Sequence, residues 1–395
     1  MQKRAIDVVK LLFPLGREKR KALQDLRALV TEREYGDVQY LARLRKIGFH
    51  YDRFGTSAAL VPDASWPQLA AAAPDEDVVT VVERLNKKIA DQAMLATFES
   101  FKLQSVEAIA KLVAPNLLGM DAVKEAATVQ LFTQEPLHIL LLGDPGTGKT
   151  EVLRSIERLA PHAIFGLGSG ASKAGLTGIY DGKEFQPGLL VLADEGFALI
   201  DELNLLKKED QAGLYSAMEK GFLTYDKKGA HEKFDARVRV LATANPKGDR
   251  FVGKDAKLLR TQLPFDPALL SRFHLLFLIR RASARELESI TRKIVKDEVR
   301  DLEDGDARFV KAYVSYAERL NVAFDPKFEP VIVSFIDDLR AREESCLVEI
   351  GPRLVIGVIR LAKAYARSRL SRTTSADDVE RAMKLMNAAL VVKKA

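Results

Sequence analysis

The sequence predicts an α/β protein in which a doubly wound parallel sheet carries a glycine-rich loop, with a small, mainly helical segment before it and a helical domain after it. Three observations predict this. Apolar runs of strand length alternate with helical or loop segments between residues 137 and 279. The first of them ends in a cluster of glycines, Gly143-Asp-Pro-Gly-Thr-Gly-Lys-Thr150. Beyond Ser283 the apolar spacing becomes helical throughout. The expected divisions are residues 1–100, 101–284 and 285–395.

In the first of these, Leu23, Leu26, Leu29 and Val30, then Val38, Leu41 and Leu44, recur at three- and four-residue steps, which predicts short amphipathic helices. A turn-rich piece from His50 to Pro74 follows and holds the one tryptophan, Trp66. Pro136 then precedes Leu137-His-Ile-Leu-Leu-Leu142, a bounded apolar run that reads as a buried parallel strand. Ala163–Gly166, Phe197–Ile200, Val238–Thr243 and Leu275–Ile279 are runs of the same kind. Helices are expected over Arg285–Val299, Ala307–Leu320, Lys327–Arg342, Pro352–Leu370 and Ser375–Val392, the last with Ser375 as N-cap and acids in its first turn.

Composition excludes several classes. No stretch approaches the ~20 apolar residues of a membrane helix, and no secretory leader follows Met1-Gln-Lys-Arg4, so the cytosol is the expected home. A single cysteine, Cys346, forms no internal disulfide and reads as a small residue in a helical stretch. The net charge of +6 is modest, but residues 1–50 hold 12 Lys and Arg against 6 Asp and Glu, concentrated at Arg17–Arg20 and Arg43–Lys46. A solvated helix face and a phosphate-binding face explain those clusters equally well.

The chemistry begins at Gly143, Asp144, Pro145, Gly146, Thr147, Gly148, Lys149 and Thr150, which fit a phosphate-binding loop between a strand and a helix expected to start near Glu151. Glycines let backbone amides close around phosphates, and the helix N-terminus adds its positive dipole end. Lys149 reaches the β and γ phosphates of ATP, and the Thr150 hydroxyl ligates Mg²⁺. Such a site also needs carboxylates. Asp201 and Glu202, closing the run Phe197–Ile200, supply one for the metal shell and one to polarise the attacking water. Asn245, ending another strand, suits a bridge between water and the γ-phosphate, or else caps a turn before Pro246. Arg272 precedes the last strand, where a cation can serve the nucleotide of a neighbouring subunit as an arginine finger does. Arg353 starts a helix in the last domain, with a surface salt bridge as its plainer role.

From about Ala108 to Leu390 the chain resembles the AAA+ module of minichromosome maintenance (MCM) proteins. Ile109–Gly119 is similar to the family's lead-in helix and loop, Gly166–Thr177 to its glycine-rich segment, and Gly188–Glu202 to its approach to the Walker B carboxylates. Ala244–Pro246 and Leu270–Phe273 match its sensor 1 and its trans-acting arginine, and Arg353 its sensor 2. Leu223–Arg237 resembles a hairpin that enters the ring channel, with Lys227 at the place of the channel lysine. Lys228, Lys233, Arg237 and Arg239 add positive charge suited to a phosphate backbone, or to solvent. The insert Gly178–Pro187 is shorter than the family's second channel hairpin. The resemblance implies an ATP- and Mg²⁺-dependent helicase or translocase acting on single-stranded DNA, as a hexamer or together with another MCM protein.

The chain also departs from that pattern. Asn204-Leu205 stands where the family has an acid and a lysine, and Ile356 where a glutamate follows Arg353. About 100 residues precede the motor segment, with neither zinc cysteines nor the regular short strands of an OB-fold, and no winged helix follows the last helices. The expectation is a reduced MCM-like protein. Two alternatives stay open: a protein-remodelling ATPase of the chelatase and MoxR kind, and a non-motor MCM paralog with a structural or regulatory role.

Overall fold

The computed structural model describes residues 50–52, 55–57 and 94–391, the last stretch without 118, 169–172, 182–183, 228–229, 249, 282–287, 289–290 and 293–301. Two compact units, Met1–Ser100 and Phe101–Ala395, divide the chain. In the first, β1 (His50–Asp52) and β2 (Gly55–Ser57) pair antiparallel within the turn-rich piece. The helices expected before them, the basic clusters Arg17–Arg20 and Arg43–Lys46, and Trp66 lie outside the described residues.

The second unit opens with α1 (Ser105–Leu112) and α2 (Asp121–Leu131). Its sheet is five-stranded and wholly parallel, in the order β11 (Leu275–Ile279), β3 (Ile139–Gly143), β10 (Arg239–Ala244), β7 (Phe197–Asp201), β4 (Ala163–Leu167). Every residue of β3, β7 and β10 is buried, which is why these strands read as unbroken apolar runs, while the edge strand β4 is half-buried. Helix α3 (Lys149–Leu159) follows β3 and starts two residues before the expected Glu151. Between β4 and β7 come α4 (Lys173–Thr177), the hairpin β5 (Gly178–Asp181) and β6 (Glu184–Pro187), and one turn of helix, α5 (Leu189–Leu192). Helix α6 (Gln211–Lys220) leads into a second hairpin, β8 (Phe222–Lys227) and β9 (Ala230–Asp235), before β10. Two short helices, α7 (Ala256–Thr261) and α8 (Pro267–Leu270), precede β11.

The last domain contributes α9 (Asp304–Ala317), α10 (Glu329–Ala341), α11 (Pro352–Ser368) and α12 (Ala376–Leu390). Ser375 caps α12 in a reciprocal box with Asp378, whose buried carboxylate also pairs with Arg369 at 2.7 Å. The expected helix Arg285–Val299 falls largely outside the described residues. Cys346 is buried but not helical: it follows a short 3₁₀ turn in extended conformation and bridges to Val391. No helix among the described residues is long and apolar enough to cross a membrane.

Helix α11 ties the last domain to segments flanking the sheet through basic residues at seven-residue steps, which return to one face every two turns. Arg353 donates to the Ser271 carbonyl at 2.6 Å, Arg360 to that of Pro136, and Arg367 to those of Phe132 and Leu320. Close by, His138 lies buried at the entry to β3. Its Nδ1 accepts from the Val240 amide and its Nε2 faces the Met218 carbonyl, each at 3.2 Å, a pattern that one neutral tautomer satisfies. Burial above all pushes the His138 pKa down to about 3, and burial holds neighbouring His274 well below the ordinary range as well.

Both histidines stay neutral in the folded chain while their unfolded counterparts take up protons below about pH 6.5. Their stabilising contribution is therefore complete above that value and is lost as pH falls toward their folded values, each adding a slope of up to ~1.4 kcal/mol per pH unit. Urea midpoints should fall from pH 6.5 to 5.5, and less steeply in His138→Gln. Parallel pH profiles for the two proteins would contradict the assignment.

Candidate nucleotide site

Parallel strands end at one edge of the sheet, and the crevice beyond those ends is where ligands of such folds bind. The chain turns there from β3 into the loop 143–148. Gly143 is a glycine of necessity, since a Cβ would lie 2.5 Å from the Ile279 carbonyl oxygen of β11. Gly146 and Gly148 have φ of +74° and +81°, the left-handed region that costs glycine little. Leu117 packs on Gly148, within 2.4 Å of where a Cβ would be. Its loop is held by the buried Lys124, which donates to the carbonyls of Ala114 and Leu117 at 2.8 and 2.7 Å.

Lys149, 7% exposed, donates to the carbonyls of Gly143 and Asp144, both at 2.8 Å. Burial lowers its pKa, opposed by the charges of Asp201, Asp144 and Glu202, which places all three carboxylates within electrostatic reach of the ammonium. The Asp144 carboxylate itself accepts from the backbone amides of Phe251 and Arg281, tying the loops after β10 and β11 to the glycine-rich turn.

The Thr150 hydroxyl donates to Asp201 Oδ2 at 2.8 Å across the gap between α3 and β7. A hydroxyl and a carboxylate brought together this way fit Mg²⁺, which takes one or two protein oxygens and completes its shell with water and phosphate. Glu202 follows in left-handed conformation, φ +54° and ψ +43°, unusual for a residue with a Cβ. Asn245 directly follows β10, its backbone amide donating to Asn204 Oδ1 at 2.9 Å. The structure thus gathers Gly143 to Thr150, Asp201, Glu202 and Asn245 at one edge of the sheet. Sequence reasoning missed three neighbours: Thr243, which links Asp201 to the Glu202 amide, Asn204, and Gly168, where a Cβ would stand 2.3 Å from the Glu202 carbonyl oxygen.

Arg272 and Arg353 lie elsewhere, close to one another. Arg272 pairs with Glu219 at 2.7 Å, donates to the Ala268 carbonyl and stacks over the Tyr215 ring, with its buried Nε unpartnered among the described residues. Arg353 reaches Ser271, the residue before Arg272, and its pKa is lowered first by burial and then by the Arg272 charge. No hydrogen bond or ion pair of either guanidinium reaches the glycine-rich loop among the described residues.

The two hairpins meet through aromatic rings. Phe185 of β6 stacks on Phe234 of β9 at 3.8 Å, Tyr225 of β8 packs against both, and Tyr180 of β5 donates to Glu232 of β9. Lys227 is the last residue of β8, paired with Ala230 at the hairpin's end, and Lys228 lies outside the described residues. Lys233 sits over the Phe222 ring at 4.1 Å. Two of the cations expected to supplement Lys227 are otherwise engaged. Arg237 is paired with Asp194 at 2.6 Å and Glu195 at 3.1 Å. Arg239 is buried, pairs with Glu318 at 2.7 Å and donates to the backbone carbonyls of Thr133, Glu195 and Gly196, so it staples the core.

This architecture has counterparts. Residues 93–298 match the MCM P-loop domain and residues 308–390 the MCM AAA-lid domain. The chain is 28% identical over 337 residues to the minichromosome maintenance protein MCM of Saccharolobus solfataricus, covering 76% of this chain and 48% of that protein. It is 30% identical over 312 residues to DNA replication licensing factor mcm7 of Schizosaccharomyces pombe, covering 71% and 41%, and 30% identical over 349 residues to DNA replication licensing factor MCM4 of Arabidopsis thaliana, covering 80% and 41%. It therefore spans about half the length, or somewhat less, of these relatives. With a P-loop domain matched over more than half its residues and a lid matched over most of the remainder of the second unit, the chain belongs to the MCM family of AAA+ P-loop proteins.

Proposed function

We propose that this chain is an ATP-hydrolysing motor that moves on or unwinds DNA, acting as a ring of subunits, either hexameric or shared with another MCM protein. One observation carries the reading: Lys149, Thr150, Asp201, Glu202 and Asn245 converge on one sheet edge, while Arg272 and Arg353 form a separate pair. Groups divided in this way complete each other only when a second subunit brings its arginines to the first subunit's nucleotide.

In that arrangement the loop amides and Lys149 hold the phosphates of ATP, and Thr150 with Asp201 would hold the Mg²⁺. The metal ion, when bound, neutralises charge on the phosphate oxygens. Glu202 orients and polarises the attacking water, and the Asn245 side chain bridges that water and the γ-phosphate. The neighbour's Arg272 and Arg353 stabilise charge that develops as the phosphoryl group leaves. Turnover is coupled to DNA through the hairpin that carries Lys227, and relatives named as DNA replication licensing factors support that choice of polymer.

Adding single-stranded DNA should raise ATP turnover, and mass measurement with a non-hydrolysable ATP analogue should show an assembly larger than the monomer. Binding should be independent of sequence and salt-sensitive, with Lys227→Ala weakening it several-fold and reducing the slope of log affinity against log salt by ~0.7, the share of one phosphate contact on single strands. Neutralising Arg17–Arg20 and Arg43–Lys46 should reduce that slope further. Turnover indifferent to DNA, together with affinity unchanged in both variants, would remove DNA as the substrate and leave the protein-remodelling alternative.

A further inference from the structure

The β7–β10 ladder pairs Arg239 with Phe197 through Ala242 with Ile200 and goes no further. The residues past that ladder, Asp201 and Glu202 on one side and Asn245, just after the end of β10, on the other, are those assigned to the metal, the water and the γ-phosphate. Nothing in the backbone ladder fixes the distance between them. Side chains take over that task through three cross-links. The Thr243 hydroxyl donates to Asp201 Oδ1, the Glu202 amide donates to the same hydroxyl oxygen at 2.9 Å, and the Asn245 amide donates to Asn204 Oδ1 at 2.9 Å.

We propose that Thr243 and Asn204 are positioning residues for ATP hydrolysis, a two-point brace that holds the water-polarising Glu202 and the sensor Asn245 in register with each other; the proposal rests on the reading of these residues as an ATP site. The hydroxyl of Thr243 is suited to the part because it donates and accepts at once, and its donor is directed to Asp201. Its free lone pair then meets the Glu202 amide. That amide belongs to a residue in left-handed conformation, which in a side-chain-bearing residue persists only where surrounding contacts over-determine it. Thr243 is 1% exposed, so neither of its bonds is replaced readily by water.

Asn204 adds the second point. It stands where the resemblance leads one to expect an acid, and an amide oxygen accepts from the Asn245 backbone as a carboxylate oxygen does. The bond is made here without a negative charge. Neither residue touches the reacting atoms in this arrangement. Each acts through its neighbour, and a displacement of about 1 Å at such a distance from the chemistry is enough to cost ~10²-fold in rate.

The test compares Thr243→Val and Asn204→Leu, which retain shape and lose the bonds, with Thr243→Ser and Asn204→Asp, which retain them. The expected result is a kcat lowered ~10- to 100-fold in the first pair, with KM for ATP within about threefold of wild type, and recovery of most of kcat in the second pair. Undiminished kcat in Thr243→Val and Asn204→Leu overturns the proposal, as does a rise in KM at constant kcat, or conservative variants as slow as the others. Amide hydrogen exchange without nucleotide gives a readout apart from turnover. Segments 201–205 and 243–246 should exchange faster in Thr243→Val than in wild type, and equal rates would refute the brace even in a chain that hydrolyses no ATP. Normal turnover in Glu202→Gln would instead refute the ATP-site reading, leaving the exchange result to decide on the brace alone.

Discussion

Lys149→Ala should lose tight ATP binding, whereas Glu202→Gln should keep it and lose turnover by ~10²- to 10⁴-fold, the usual contribution of a group that activates the nucleophile. The contrast follows from position. Lys149 is the one cation of the glycine-rich loop, buried at 7% exposure, with its ammonium within 2.8 Å of two loop carbonyls. A phosphate chain entering that loop meets the ammonium together with the amides of the helix start, so its binding energy depends on the lysine. Removing the cation also withdraws the charge that offsets Asp201, Asp144 and Glu202 near the loop, which adds repulsion of a phosphate chain to the lost attraction. Among the described residues the Glu202 backbone makes no hydrogen bond to the loop, and its amide donates to Thr243 instead. Its amide isostere leaves the ground-state site intact and withdraws only the charge that polarises water. Calorimetry on both variants, beside single-turnover hydrolysis, separates the two roles. Equal ATP affinity in wild type and Lys149→Ala would end the assignment of this loop.

The strands and the glycine-rich loop were legible in the sequence because parallel strands buried on both faces have to be apolar at every position, and because the close approach of Gly143 to Ile279 admits no side chain. The helix begins at Lys149, inside the glycine-rich motif and two residues before the expected Glu151, so Lys149 and Thr150 belong to the phosphate-binding motif and to the first turn at once. What escaped depends on contacts between distant segments. Arg239 lies two residues from Arg237 and reads the same, yet a partner 79 positions away, Glu318, together with the carbonyls of Thr133 and Glu195, makes it a buried staple. The pairing of the two hairpins rests on Phe185 against Phe234, rings 49 positions apart that no local pattern connects. Thr243 was visible only as a strand residue. Its link to Asp201 emerges once β7 and β10 are known to be neighbours.

Arg272→Ala should bind ATP with wild-type affinity and hydrolyse it ~10³- to 10⁵-fold more slowly, the range in which an arginine finger contributes. The guanidinium rests on its own subunit against Glu219, Tyr215 and the Ala268 carbonyl, and Arg353 holds the adjacent Ser271 carbonyl from the lid. With its Nε buried and unpartnered among the described residues, Arg272 retains donor capacity that these contacts leave unused. Burial and the Arg272 charge lower the Arg353 pKa, with Glu219 offsetting part of that repulsion, and the phosphates of an adjacent subunit's ATP have the charge to offset more of it. On the proposed reading the finger and the loop act from different subunits, so Arg272→Ala and Lys149→Ala damage opposite sides of each contact. An equimolar mixture that exchanges subunits will contain contacts in which an intact loop meets an intact finger, and those contacts should hydrolyse ATP although neither variant does so alone. Recovery should rise with time as subunits exchange and should vanish if the subunits are cross-linked before mixing. Arg272→Ala that is fully active while strictly monomeric would exclude a role in trans. Recovery that fails to appear in a mixture shown by mass to contain both chains would exclude it equally.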